Sequence, residues 1–352
     1  MPATPPYPRY NQPAHPLGGW RTYLLNLLRL ADGPTVNVYR GFGTATQVTV
    51  QGHVLRLGPL PQRHYRQRFW VNLIDMLRLF LVRPLAHAQV QVAGTATVVT
   101  TDTDGFFRFD WQPDFPLSPG WHPVQINLIG TSEAGQPVAS GTGEVFVPHP
   151  TQYGIISDID DTFLISHSST KLRRLGVLLF RNAHGRRPFT GVVAHYQALR
   201  LAGTTPDAPN PFFYVSSSEW NLYDYLTAFL NKHELPTGVL MLSQLKRLSQ
   251  LRKTGQGGHF TKLDRIARIL TAYPQHRFIL LGDDTQADPA IYATVVAHHA
   301  PQIRCVYLRQ VGATRKAAVA TLVATIEAAG VPCCYVRHST EAMHHSTRIG
   351  LI

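Results

Sequence analysis

GIISDIDDT, residues 154–162, is the stretch that decides how this chain folds. Gly154 to Ser157 form a short apolar run of the kind found in strands covered on both faces. Three carboxylates, Asp158, Asp160 and Asp161, follow within four positions. Like charges held that close repel, and a folded site keeps them cheaply only if they bind a cation or share protons. A hard divalent ion is therefore expected at this strand end.

Working outward, the same kind of run recurs at FFYV (212–215), VLML (239–242), FILL (278–281) and CVYL (305–308), with helical patterns between. Strands of apolar rather than alternating character, separated by helices, imply an α/β unit with a doubly wound parallel sheet. Ligands of such sheets sit beyond the carboxyl ends of the strands, where the strand order reverses. The residues just after each run are thus the candidates for chemistry. After FILL comes GDDTQAD (282–288), a second acidic cluster with Asp283, Asp284 and Asp288. Two such clusters on adjacent strand ends would supply the oxygen ligands that magnesium prefers. After FFYV comes the triplet Ser216, Ser217, Ser218, expected to sit ahead of a helix over Asn221 to Leu230, whose N-terminus is a natural phosphate seat. Lys262 opens TKLDRIARIL (261–270), a predicted helix with Leu263, Ile266, Ala267 and Leu270 on its apolar face. Thr261 and Asp264 have the spacing of a capping box.

Upstream the pattern changes. From Thr35 to Val147 apolar and polar residues alternate in short runs such as TQVTVQGHVLRL and AQVQVAG, which predicts an all-β sandwich. TDTDGFFRF (101–109) resembles a hairpin of immunoglobulin-like or carboxypeptidase-regulatory-like domains, with Asp104-Gly105 at the turn and Phe107 and Phe109 on one face. Asp102 and Asp104 lack the sixth-position Gly and twelfth-position Glu of an EF-hand loop, so they are read as turn residues. Residues 63–85, RHYRQRFWVNLIDMLRLFLVRPL, predict an amphipathic helix. It serves either as a connection packed on the β domain or as a basic helix lying on a membrane surface. The expected organisation is a Pro-rich tail over 1–20, a β domain over 21–148 and an α/β domain over 149–352.

The 352 residues are 44% apolar and 15% charged, which excludes a disordered chain. Net charge is 33 − 21 = +12, of which 22 − 13 = +9 falls after residue 150. That excess draws anions of any kind to the later part. Basic residues are not interleaved with aromatic ones in a stripe, so no nucleic-acid partner is expected. Phe69 to Pro84 is short and carries Asp75, Arg78 and Arg83, so no membrane span is expected. Cys305, Cys333 and Cys334 form no disulfide framework, which points to a reducing, cytoplasmic setting. His298, His299, His344 and His345 are read as surface residues and Cys333-Cys334 as packing residues. Arg173, Arg174, Arg186 and Arg187 are equally a head-group contact or a solvated face.

In order along the chain, Asp-x-Asp-x-Thr, Ser, Lys and Gly-Asp-x-x-x-x-Asp resemble the four motifs of the haloacid dehalogenase superfamily of phosphohydrolases. SDIDDT, FYVSSSEWNLYDYLTAFL, FTKLDRIARIL and FILLGDDTQADPAIY are similar to the catalytic domain of the actin-patch type of phosphatidate phosphatases and their bacterial relatives. In that family a Pro is usual where Glu219 stands and Ser-Gly where Asp284 and Thr285 stand, so Asp284 is expected to add negative charge near the metal.

The resemblance implies a haloacid-dehalogenase-like fold and a role for each matching residue. Asp158 would be the nucleophile that forms an aspartyl-phosphate. Asp160 would protonate the leaving alkoxide and then activate water. Asp158, the Asp160 carbonyl and Asp283 would hold Mg²⁺, with Asp288 supporting the ion or Lys262. Ser216, or Ser217 one position on, and Lys262 would bind the phosphoryl oxygens. The implied activity is hydrolysis of phosphatidate at a membrane surface by a cytoplasmic, peripheral enzyme. Alternatives are another phosphoester (a phosphoprotein, a nucleic-acid end or a small metabolite) or a non-catalytic scaffold that binds a membrane or partner.

Overall fold

A computed structural model describes residues 33–57, 83–130, 137–149, 153–159, 162, 188–243, 261–285, 287–311 and 316–352. The 1–20 tail, the bulk of the 63–85 segment, Asp160, Asp161 and the four arginines between 173 and 187 lie outside the described residues. The chain divides into two compact units, Met1–Val147 and Pro148–Ile352.

Among the described residues the first unit has nine strands: β1 (Thr35–Val38), β2 (Gly41–Gly43), β3 (Val48–Leu57), β4 (Arg83–Pro84), β5 (Gln89–Val92), β6 (Val98–Thr100), β7 (Phe106–Trp111), β8 (Gly120–Leu128) and β9 (Ala139–Val147). In place of two separate sheets, the hydrogen bonds form one mixed ladder in the order β1-β3-β2-β9-β8-β5-β6, with β4 and β7 also pairing with β3. Short β2 makes the ladder continuous, pairing antiparallel with β3 and parallel with β9. Alternation puts one face of each strand inward. Val48, Val50 and Val54 of β3 and Phe107 and Phe109 of β7 share a core with Val90, Ile126, Leu128 and Val145. The end of the segment predicted as helical is instead strand: Arg83 and Pro84 pair with Leu57 and Leu55.

TDTDGFFRF keeps its turn and loses its hairpin. The Asp102 carboxylate accepts the amides of Asp104 (2.8 Å) and Phe106 (2.9 Å), and Gly105 takes a φ of 71° that a side chain would strain. The strands it joins go to different partners, β6 to β5 and β7 to β3. Phe107 and Phe109 are buried on one face, their rings edge to face at 5.8 Å.

The second unit carries a six-stranded, all-parallel sheet: β10 (Gly154–Ser157), β11 (Phe212–Glu219), β12 (Gly238–Ser243), β13 (Phe278–Asp283), β14 (Ile303–Arg309) and β15 (Cys333–Val336). The order is β12-β11-β10-β13-β14-β15. Helices lie between and after the strands: α1 (Val192–Arg200), α2 (Tyr223–Lys232), α3 (Lys262–Ala272), α4 (Asp288–His299), α5 (Lys316–Ala328) and α6 (Ser339–Arg348). From β10 the chain winds outward through β11 to β12, then returns across β10 to β13 and winds the other way. The order therefore reverses between β10 and β13, whose carboxyl ends carry Asp158 and Asp283. Among the described residues no helix is long and apolar enough to cross a membrane.

Buried histidines set a pH dependence. His53 is 1% exposed, with Nδ1 3.0 Å from the Tyr39 hydroxyl, and burial pulls its pKa down to about 3. The unfolded chain protonates near pH 6.5 while the folded one does not. This contribution to stability is full above pH 6.5 and is lost as pH falls from there toward 3. His53→Gln is expected to lower stability at pH 7 by about 1 kcal/mol. The same variant is expected to remove about 2 kcal/mol of the loss between pH 7 and pH 5. Thermal unfolding at the two pH values checks both; an unchanged acid slope would refute the assignment.

Candidate active site

Asp158 leaves the end of β10 with its amide bonded to the Leu281 carbonyl (2.8 Å), which fixes it against β13. Asp283 ends β13, one strand over. Asp288 is the first residue of α4, where the helix dipole favours a carboxylate, and Pro289 follows at a position that needs no amide donor. All three are 0% exposed, and each offers a carboxylate oxygen within 4.8 Å of the others. Gly282 permits this packing: a Cβ there would lie 2.7 Å from Asp288 Oδ2 and from the Tyr292 ring.

Lys262 enters from α3. Thr261 caps that helix by accepting the Asp264 amide (3.2 Å), and the Asp264 carboxylate accepts the Thr261 amide in return (2.8 Å). The expected capping box is present and sets Lys262 at the first helical position. The Lys262 ammonium forms an ion pair with Asp158 Oδ1 at 2.7 Å and donates to Asp288 Oδ1. The buried stripe of α3 is Lys262, Arg265, Ile266, Ile269 and Leu270, not the expected one through Leu263 and Ala267, which are only half-buried. Partners for the two cations decide the rotation. Lys262 finds carboxylates, and Arg265 donates to the carbonyls of Ser216 (2.7 Å) and Met241 (2.8 Å).

Thr162 joins the two acidic clusters. Its hydroxyl lies 3.1 Å from Asp283 Oδ2 and 3.5 Å from Asp158 Oδ2. Asp283 Oδ1 accepts both the amide and the hydroxyl of Thr285. Desolvation, then the neighbouring Asp288 charge, pushes the Asp283 carboxyl up to about 6, opposed by Thr285 and Lys262. Desolvation alone would lower Lys262, but Asp158 and Asp288 outweigh it and hold the ammonium at about 12. Among the described residues three carboxylates thus face one ammonium. Asp288 Oδ2 has no hydrogen-bond partner among the described residues. An all-oxygen donor set with surplus negative charge fits a hard divalent cation, and Asp158, Asp283 and Asp288 are the groups that could hold it.

The serine triplet lies within β11, followed by a short 3-10 turn over Trp220–Leu222 and α2, so it does not precede the helix directly as expected. Strand alternation separates the two candidates: Ser216 is buried, with its hydroxyl accepting the Ser218 amide (2.9 Å), whereas Ser217 is exposed. Asp284 does not join the acidic trio. Its carboxylate accepts the Val311 amide (2.9 Å) and the Tyr335 hydroxyl (2.7 Å), tying β13 to the ends of β14 and β15. His345 is buried rather than on the surface, with Nδ1 3.2 Å from the Tyr307 hydroxyl. Cys305 and Cys333 are buried and free of disulfides.

Arg309 escaped the sequence reading, since nothing in CVYLRQ marks its arginine from any other. At the end of β14 it is paired in register with Asp283. Its Nε donates to the Thr162 carbonyl (2.9 Å), Nη1 donates to the Arg337 carbonyl (3.1 Å), and Nη2 donates to the Ser339 hydroxyl. It thereby ties the loop after β10 to the start of α6.

The second unit is thus an α/β domain with a carboxylate and ammonium centre at its switch point. Residues 153–310 match the family model described as phosphatidate phosphatase APP1, catalytic domain. Phosphatidate phosphatase APP1 of Saccharomyces cerevisiae is 29% identical over 215 residues, 60% of this chain and 34% of that protein. An uncharacterized protein of Schizosaccharomyces pombe is 21% identical over 215 residues, with the same coverage of 60% and 34%. The chain thus spans about a third of the length of these curated relatives. A solved carbohydrate acetylesterase from Xanthomonas citri aligns over 86% of this chain and 68% of its own, at 11% identity and a TM-score of 0.27, too distant to bear on the fold.

Gly282→Ala is expected to lower the unfolding free energy by about 1–3 kcal/mol through overpacking against Asp288 and Tyr292. It is also expected to weaken binding of a divalent ion. Urea unfolding and calorimetric titration with Mg²⁺ measure the two effects; wild-type values for both would show that the close approach is not needed.

Proposed function

We propose that this chain is a Mg²⁺-dependent phosphomonoester hydrolase with a haloacid-dehalogenase-like catalytic domain, that it works through an aspartyl-phosphate, and that phosphatidate is its substrate. The observation that carries the reading is the Lys262 ammonium 2.7 Å from Asp158 Oδ1, beside Asp283 and Asp288 in one buried cluster. The substrate rests on the family match over 153–310.

In this reading the Lys262 ammonium, 2.7 Å from Asp158 Oδ1, holds Asp158 in place to attack. The Asp158 oxygen bonds to phosphorus and the bond to the alkoxide breaks. Asp160, two residues on, gives the departing alkoxide its proton and so releases the alcohol, diacylglycerol in the case of phosphatidate. Water then attacks phosphorus, its proton passes to Asp160, and Asp158 is freed as phosphate leaves. Lys262 and Ser216 face the phosphoryl oxygens, and Asp288 orients Lys262. Mg²⁺, held by Asp158, the Asp160 carbonyl and Asp283, would supply positive charge against the transferring group. The chain would act from the cytoplasm, peripheral to the membrane that holds its substrate.

Phosphate release from phosphatidate in mixed micelles, beside a soluble phosphomonoester, tests this. Turnover is expected to need Mg²⁺, to stop in chelator, and to fall about 10³-fold or more in Asp158→Asn. Turnover of the soluble ester alone would remove phosphatidate as substrate. Micellar turnover that survives Asp158→Asn would overturn the mechanism.

A further inference from the structure

Beside the acidic centre, at the carboxyl ends of β14 and β15, lies a cavity of ≈ 460 Å³ lined by Phe189, Arg309, Gln310, Val311, Arg337 and His338. Two guanidiniums line it, and among the described residues each hydrogen bond they donate goes to a neutral acceptor. Arg309 serves the Thr162 and Arg337 carbonyls and the Ser339 hydroxyl, and its plane lies over the Phe189 ring at 4.5 Å. Arg337 Nε donates to Gln310 Oε1 at 3.1 Å. Its terminal nitrogens have no partner among the described residues.

Among the described residues neither guanidinium forms an ion pair, although the charge of Asp283 acts on Arg309. Both oxygens of Asp284 are taken, by the Val311 amide and the Tyr335 hydroxyl. Glu341 accepts the amide of His338 (3.1 Å). A guanidinium whose Nε is fixed by a neighbour presents its terminal edge as a preset fork, the geometry that suits a phosphate or carboxylate group. Phe189 and Val311 give the same cavity an apolar wall.

We propose that this cavity is a second anion site, separate from the acidic centre, in which Arg337 binds a phosphate group. Free phosphate and the phosphate of a lipid head group share the chemistry that would be recognised. The centre itself, with three carboxylates to one ammonium, repels anions when no cation is bound. Phosphate bound in chelator therefore reports on the cavity. Binding is read without turnover, so the proposal stands or falls apart from the hydrolase reading.

The test is equilibrium dialysis of inorganic phosphate against the full chain in chelator at fixed ionic strength. One saturable site per chain is expected, weakened about tenfold or more in Arg337→Ala. Arg348→Ala, which removes an exposed arginine from the far end of α6, is expected to leave it unchanged. No saturable binding, equal binding in Arg337→Ala, or equal weakening in both variants would overturn the site. Sedimentation with phosphatidylcholine vesicles, with and without phosphatidate, then separates the two sources. Phosphatidate-dependent capture that Arg337→Ala abolishes assigns the site to the head group. Phosphate binding with no such capture assigns it to free phosphate.

Discussion

The second unit is organised around one electrostatic constraint: Asp158, Asp283 and Asp288 are held out of water beside the ammonium of Lys262, the one cation that pairs with them among the described residues. Charges so placed interact far more strongly than at a surface, so each must be met by a partner. The fold meets them one at a time. Asp158 has Lys262, Asp283 has the hydroxyls of Thr162 and Thr285, and Asp288 has Lys262 and the N-terminal turn of α4. One positive charge among three negative ones leaves a surplus. That surplus shows in the raised pKa of Asp283 and makes the cluster suitable for a divalent ion.

Two arginines brace this centre from opposite sides without entering it. Arg265 holds the carbonyls of Ser216 on β11 and Met241 on β12, and Arg309 holds that of Thr162 in the loop after β10. A rigid planar fork suits this task better than a lysine would, because several bonds are fixed by one group. Asp284 does similar work at the end of β13, joining it to Val311 and Tyr335. Strand ends that would otherwise be independent loops are thus bound into one frame.

Much of this was legible in the chain. Five apolar runs alternating with helical patterns fixed a parallel sheet, and the reversal of strand order fell where the two acidic clusters lie, between β10 and β13. The capping box at Thr261 and Asp264 could be read because it depends on residues three apart. Asp104-Gly105 could be read as a turn for the same local reason, while the pairing of β6 and β7 with different strands could not. Pairing is a choice among distant partners, and alternation shows only that each strand has an inner face.

The sequence by itself determined the alternation of strands and helices in the second unit, the strand-end positions of Asp158 and Asp283 and the presence of a lysine to meet them, because those follow from local period and residue chemistry. Only the tertiary structure decided which side chains share the centre. It turned α3 so that Lys262 and Arg265 face inward, and it took Asp284 out of the acidic trio. It also buried Ser216 and left Ser217 exposed, and it made Arg309 a brace. Each of these depends on a partner far away in sequence: Asp288 for Lys262, Tyr335 for Asp284, Thr162 for Arg309. A buried charge is placed by the group that satisfies it, and that group is known only once the chain has folded.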